Sequence, residues 1–234
     1  MFSDLTFIII IPFLFFSIWA QNRISSSYKE YKQIESKKGR TGEQVATELL
    51  AQSGITDVTV EKISGVLTDN YDPRHKKVNL SEDIFDSTSI AAVTIAAHEV
   101  GHAIQHHTGY TPLSIRTNLL PLAALGSNVG TWLFILGGIL MLLTRNPMAN
   151  QVMFLGVLLF SAAVSFQLLT LPVEYNASKR AIDMLKEQAI LEDDEIKPAK
   201  DVLSAAVLTY VATTIMSITQ LFRFVYLFIK GAIK

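Results

Sequence analysis

Four of the chain's five histidines fall within residues 98–107, in the stretch "TIAAHEVGHAIQHH", and Glu99 sits among them in otherwise aliphatic surroundings. On a helix, residues four apart share a face with β-carbons about 6 Å apart, so His98 and His102 can turn their rings toward one ion. The run His98-Glu99-Val100-Gly101-His102 matches H-E-x-x-H. In that pattern two neutral imidazoles hold Zn2+, and the glutamate, outside the ligand set, takes a proton from the water on the ion. Zinc lowers the pKa of that water to about 7, and the carboxylate can pass the proton to a leaving amine.

A tetrahedral site of this kind needs a third protein ligand. The longer metzincin pattern would place a glycine at 105 and a histidine at 108, but the chain has Gln105 and Thr108, so that class is excluded. His106 lies two turns beyond His98, too far along the helix to join the same tetrahedron. With His107 it suits a polar helix end near the negative dipole terminus. His75, beside the turn signal Asp72-Pro73, is expected at the solvent. A downstream carboxylate remains. Glu174 stands out in "LPVEYNASKRAIDML", where Pro172 is expected to end an apolar segment and Glu174 to open the helix that follows. The bland alternative for Glu174 is a first-turn glutamate stabilising its helix dipole. Glu187, Glu192, Asp193, Asp194 and Glu195 read as a solvated charged run.

The elements around these residues can be placed by pattern. Ser81, or one of Ser87, Thr88 and Ser89, supplies helix caps, and a helix is expected from about Ile90 to His107, stopping at Gly109. Ala91, Ala92, Ala96, Ala97 and Gly101 are small, so other elements can approach that helix closely. A buried helix has little reason to carry a glutamate and two histidines unless they are paired with something. Upstream, Thr41-Gly42-Glu43-Gln44 has the spacing of a capping box, and Gly54 stops the helix that it starts. "VTVEKIS" and "KKVNLS" then read as short strands on either side of a turn at Asp72-Pro73, which suggests a small antiparallel sheet. A strand edge there could bind an extended peptide.

Half of the 234 residues are apolar, and 20 basic side chains nearly cancel 21 acidic ones, so no global field draws the chain to nucleic acid. There is no cysteine, which excludes disulfides, a thiol nucleophile and a thiolate zinc site. Charge is concentrated between long apolar runs, as in a membrane protein. Crossing a hydrocarbon core of roughly 30 Å takes about 20 helical residues, and four segments qualify: 2–20, two within 119–172, and 202–229. The middle two flank Thr144-Arg145-Asn146-Pro147 and read as a hairpin. Gly126 and Gly130 form a small-xxx-small pair. The fourth segment is more polar and Arg223 interrupts it.

No Lys or Arg precedes the first apolar run, so it is expected to stay as an anchor rather than be cleaved as a signal peptide. Arg23, Lys29, Lys32, Lys37, Lys38 and Arg40 follow the first segment, and Lys179, Arg180, Lys186, Lys197 and Lys200 follow the third. By the positive-inside rule, residues 21–118 and 173–201 are expected in the cytoplasm and the N-terminus outside, with Lys230 and Lys234 in mild conflict.

The combination of "LTDNYDPRHKKVNLS", "SIAAVTIAAHEVGHAIQHHTGY" and "LPVEYNASKRA" resembles the neutral zinc metallopeptidases called YugP-like, over nearly the whole length. More distantly it is similar to membrane zinc peptidases of the HtpX and CAAX-protease kind. The resemblance implies a gluzincin-like site with His98, His102 and Glu174 on Zn2+ and Glu99 as base. That family often has an aspartate where this chain has Asn176, and the distant relatives often have an acid at Ser178, so their outer support for the ligands is not carried over there. Tyr71, Tyr175 and Arg180 are the candidates for stabilising an oxyanion.

Together these readings give a mainly α integral membrane protein, a single metallopeptidase domain over 1–234. It has about four transmembrane helices and a zincin-like cytoplasmic part with a small antiparallel β-sheet. The expected activity is zinc-dependent endopeptidase action near the cytoplasmic membrane surface, with the lipid bilayer and a peptide or membrane-protein substrate as partners. The alternative is a non-catalytic metal-binding membrane scaffold or chaperone, from which Glu99 separates it, since a scaffold needs no base beside the metal. A di-iron oxygenase needs more histidines than five, a ferritin-like site needs a second E-x-x-H pair, and no G-x-S-x-G elbow supports a serine hydrolase.

Overall fold

Small residues and well-capped helix ends decide how this chain packs. The computed structural model describes residues 6–144 and 146–232; the expected beginning of the first span at 2–5, Arg145 and Lys234 lie outside these. The elements in chain order are α1 (Thr6–Tyr31), α2 (Gly42–Gln52), β1 (Thr59–Ile63), β2 (Asn70–Asp72), β3 (Lys77–Ser81), α3 (Glu82–Phe85) and α4 (Ile90–His107). There follow α5 (Thr111–Leu125), a π-helical turn (Gly126–Gly130), α6 (Thr131–Thr144), α7 (Pro147–Glu187) and α8 (Ile196–Ala232).

Two compact units result. One comprises Ala20–Ser114 with Pro172–Thr209; the other comprises the described residues before Ala20, Ile115–Leu171 and those from Tyr210 on. Four helical runs, Ile8–Tyr31, Thr111–Thr144, Pro147–Glu187 and Ile196–Lys230, are long and apolar enough to cross a membrane. In the second unit large apolar side chains stay exposed, among them Phe15, Trp132 and Leu143, a surface that water disfavours. The glycine pair packs as its spacing suggests: a β-carbon on Gly130 would lie 2.9 Å from the backbone nitrogen of Phe160 and 3.0 Å from the carbonyl oxygen of Gly156.

In the first unit the capping box closes as expected. The Gln44 backbone N–H donates to Thr41 Oγ1 at 3.2 Å and the Thr41 N–H to Gln44 Oε1 at 3.1 Å. Val45, Ala46, Leu49 and Leu50 of α2 are buried at helical spacing. They share one core with Val78 and Leu80 of β3 and the alanine-rich face of α4.

The sheet departs from the antiparallel arrangement expected. Its order is β1-β3-β2, with β1 parallel to β3 and only β2 antiparallel to it. The cause is a strand inside the segment read as a connection. The Asp72 carboxylate accepts from the N–H of Arg74 at 2.9 Å and of His75 at 3.3 Å, and this turn reverses the chain between β2 and β3. Two reversals between β1 and β3 restore the original direction, so the two strands recognised by pattern run parallel.

Two expectations about α7 also change. Pro172 does not end a helix, since α7 continues through it to Glu187, and Glu174 is a mid-helix residue rather than a first-turn one. Glu195 is not solvated: it is buried and accepts from the N–H of Lys37 and of Glu192, both at 2.8 Å. The other acids of that run are exposed.

Ser89 caps α4 by accepting from the Ala92 N–H at 3.3 Å, and Gly109, with φ +64°, lies just past its end. Between the two motif histidines, Gly101 meets α7: a β-carbon there would lie 2.7 Å from the Ala177 carbonyl oxygen. Gly101→Ala would gain about 1 kcal/mol of helix propensity, but overpacking against rigid backbone costs about 1–3 kcal/mol. The variant is therefore expected to melt at a lower temperature than wild type in the same detergent. An unchanged or raised midpoint would mean that the helices can part there freely.

Candidate metal centre

The spacing of α4 sets the first two side chains of the site, and the close approach at Gly101 brings in the third. His98 and His102 stand on one face with ring centroids 4.8 Å apart. Glu174 precedes Ala177 by one turn of α7, so the missing β-carbon at Gly101 lets its carboxylate reach both rings. Glu174 Oε2 lies 3.3 Å from His98 Nε2 and 3.4 Å from His102 Nε2. The side chains are 13%, 11% and 3% exposed respectively for His98, His102 and Glu174.

These distances test whether the three residues suit a metal. A charge-assisted N–H···O bond would draw in to about 2.7–2.9 Å. A tetrahedron with bonds of about 2.0–2.1 Å has edges of about 3.3–3.4 Å, which matches both separations. Two imidazole nitrogens and one carboxylate oxygen, all within 4.8 Å of one another, are a donor set that Zn2+ accepts, with a fourth position left for water or substrate.

The far side of each ring is held as well. His102 Nδ1 lies 3.0 Å from Gln105 Oε1, and His98 Nδ1 lies 3.3 Å from Ser178 Oγ. Gln105 is fully buried and donates through Nε2 to the Val173 carbonyl at 2.8 Å and to Asn176 Oδ1 at 3.0 Å. Sequence reasoning used Gln105 only to exclude a metzincin. The available signal was an amide three residues past His102, a position that shares the ligand's face.

Glu99 is buried beside the pair, 7% exposed. Burial pushes its carboxyl up; the charges of His98 and His102 pull it back, and those of Glu174 and Asp69 add to the rise, so the net direction is upward. Burial alone would lower the His102 imidazole, but contact with Glu174, assisted by Glu99 and Gln105, raises it overall.

The remaining candidates have other partners or surroundings. The Tyr71 hydroxyl is 2.8 Å from His106 Nδ1, and burial, with Asp57 and Asp72, pushes the phenol up to about 12. Both residues line a cleft of about 270 Å3 with Asp57, Lys76 and His107. His75 is exposed and pairs with Asp72 at 2.6 Å. Tyr175 is 65% exposed, and Arg180 Nε donates to Asn176 Oδ1 at 2.8 Å.

If this cluster is a metal site, Glu174→Ala should weaken zinc binding by more than the roughly 10–100-fold typical of losing an outer-shell partner, while Glu99→Gln should leave it nearly unchanged. Competition with a chromophoric chelator measures both. Stoichiometric, tight zinc in the Glu174 variant would remove that residue from the site.

Comparison with known proteins gives this chain a family and a relative. The family described as "Putative neutral zinc metallopeptidase" matches residues 6–229. The chain is 43% identical, over 215 residues covering 92% of each sequence, to a protein of Bacillus subtilis (strain 168) named "Putative membrane protease YugP". No solved structure matches it.

Proposed function

The chain belongs to that family of neutral zinc metallopeptidases, and on this premise we propose that it is a membrane-bound zinc endopeptidase in which His98, His102 and Glu174 hold the metal and Glu99 is the general base. The observation that carries the reading is the tetrahedral spacing of one carboxylate oxygen from two imidazole nitrogens. When bound, zinc supplies Lewis-acid polarisation and a water whose pKa falls to about 7.

The protein's own groups supply the rest. His102 keeps Nε2 free for the ion because its Nδ1–H donates to Gln105 Oε1. Glu99 follows His98 by one residue and stays outside the ligand set, so it is available to accept a proton from the attacking water and return it to the leaving amine.

Substrate would meet the site at the membrane. Four helices are long and apolar enough to span, and Glu174 directly follows the apolar run "LLFSAAVSFQLLTLPV" in the sequence. The basic residues after the first and third of these segments favour a cytoplasmic site. Membrane proteins, or segments leaving the bilayer, are the substrate class that follows.

A buried carboxylate beside the donor set is what a metal-binding scaffold has no use for. With zinc content matched, Glu99→Gln should therefore cleave peptides about 10²–10⁴-fold more slowly than wild type, the range that general-base catalysis contributes. Equal cleavage by both proteins, or none by either, would favour the scaffold.

A further inference from the structure

We propose that Gln105, Asn176 and Arg180 are positioning residues that form a polarised hydrogen-bond relay converging on Asn176 Oδ1, fixing which nitrogen of His102 faces the metal. The inference rests on the metal site proposed above and extends it to groups that do not touch the ion.

The direction of every bond follows from what each atom can do. The Val173 carbonyl can only accept, so the Gln105 atom 2.8 Å away must be the amide nitrogen. The other end of that amide is then its oxygen, which faces His102 Nδ1 at 3.0 Å and can only accept. His102 must therefore carry its proton on Nδ1, which leaves the Nε2 lone pair free for a cation.

The second proton of Gln105 Nε2 requires another acceptor, and Asn176 Oδ1 provides it at 3.0 Å. An asparagine amide could equally present its nitrogen there, which would set donor against donor. Arg180 decides the matter: its Nε is an obligate donor and points at the same Oδ1 from 2.8 Å. Arg180 and Asn176 are four apart on α7, and Gln105 is on α4, so the relay also ties the helix carrying His102 to the turn carrying Glu174. Donation runs from His102 to Gln105 and on to Asn176, where Arg180 also donates, so the bonds reinforce one another with Val173 as the second acceptor for Gln105.

This polarity gives two isosteric substitutions opposite outcomes. Asn176→Asp keeps an oxygen facing both donors, so zinc affinity should stay within about threefold of wild type. Gln105→Glu replaces the donor with a second acceptor facing the Val173 carbonyl and Asn176 Oδ1, so affinity should fall roughly 10–100-fold, the loss usual for an outer-shell partner. Side chains that merely filled space would make the two changes equivalent. Asn176→Leu, which removes one of the two acceptors that hold the Gln105 nitrogen, should lose affinity as well, though less than Gln105→Glu, and be distinguished from Asn176→Asp even where the buried glutamate prevents folding.

The experiment is a chelator-competition titration with zinc of the full-length, detergent-solubilised wild type and these three variants, with a thermal melt of each metal-free protein to confirm folding. Retained affinity in Asn176→Asp, with losses in Asn176→Leu and in folded Gln105→Glu, is the result expected. Wild-type affinity in folded Gln105→Glu, or equal losses in Asn176→Asp and Asn176→Leu, would overturn the relay while leaving the metal site in place. Wild type that bound no zinc would overturn both.

Discussion

The site depends on how closely two helices can approach. Ala177 presents its backbone carbonyl where any side chain at position 101 would begin, and glycine there allows α7 to lie against α4 between the two motif histidines. Glu174, one turn earlier on α7, then sets a single oxygen at nearly equal distance from both Nε2 atoms. The alanines on either side of the motif extend the same logic along the helix: Ala91, Ala92, Ala96, Ala97 and Ala103 are buried, and their small size lets α2 and the sheet pack close.

Such packing has an electrostatic consequence. Two carboxylates, Glu99 and Glu174, are withdrawn from water together, and buried charge is costly unless it is compensated. Neutral imidazoles cannot balance two negative charges, whereas one divalent cation can. The upward displacement of the Glu99 carboxyl has that withdrawal from water as its first cause, with the charge of Glu174 adding to it. Polar partners are then arranged on the outer sides of the rings, with Gln105 and Ser178 satisfying the two Nδ1 atoms, so that the inner nitrogens face the Glu174 carboxylate. At positions 176 and 178 the chain uses the neutral side chains Asn176 and Ser178, so these partners add no further charge beside the buried carboxylates.

Local signals were legible in the sequence and long-range geometry was not. The i, i+4 histidine pair, the Thr41–Gln44 capping box, the Ser89 cap and the Gly109 stop each rest on interactions within one turn of helix, and each formed as its spacing indicated. The direction of β1 relative to β3 depends on how often the chain reverses between them, and a three-residue strand such as β2 leaves almost no pattern. Pro172 is a helix breaker by local rules, yet α7 runs through it, because tertiary packing on both sides outweighs the loss of one backbone donor. Glu195 looked like its exposed neighbours, and only the fold brings the Lys37 backbone to it. Gln105 was hidden for the same reason: its partners on α7 are some seventy positions away.

The central claim is that three side chains converge on one cation, and zinc K-edge X-ray absorption of the zinc-loaded protein tests it most directly. The account predicts a four-coordinate spectrum with two imidazole nitrogens at about 2.0–2.1 Å and carboxylate oxygen at about 2.0–2.2 Å, with the multiple-scattering signature of two rings. A six-coordinate, all-oxygen environment, or scattering from fewer than two imidazoles, would contradict it.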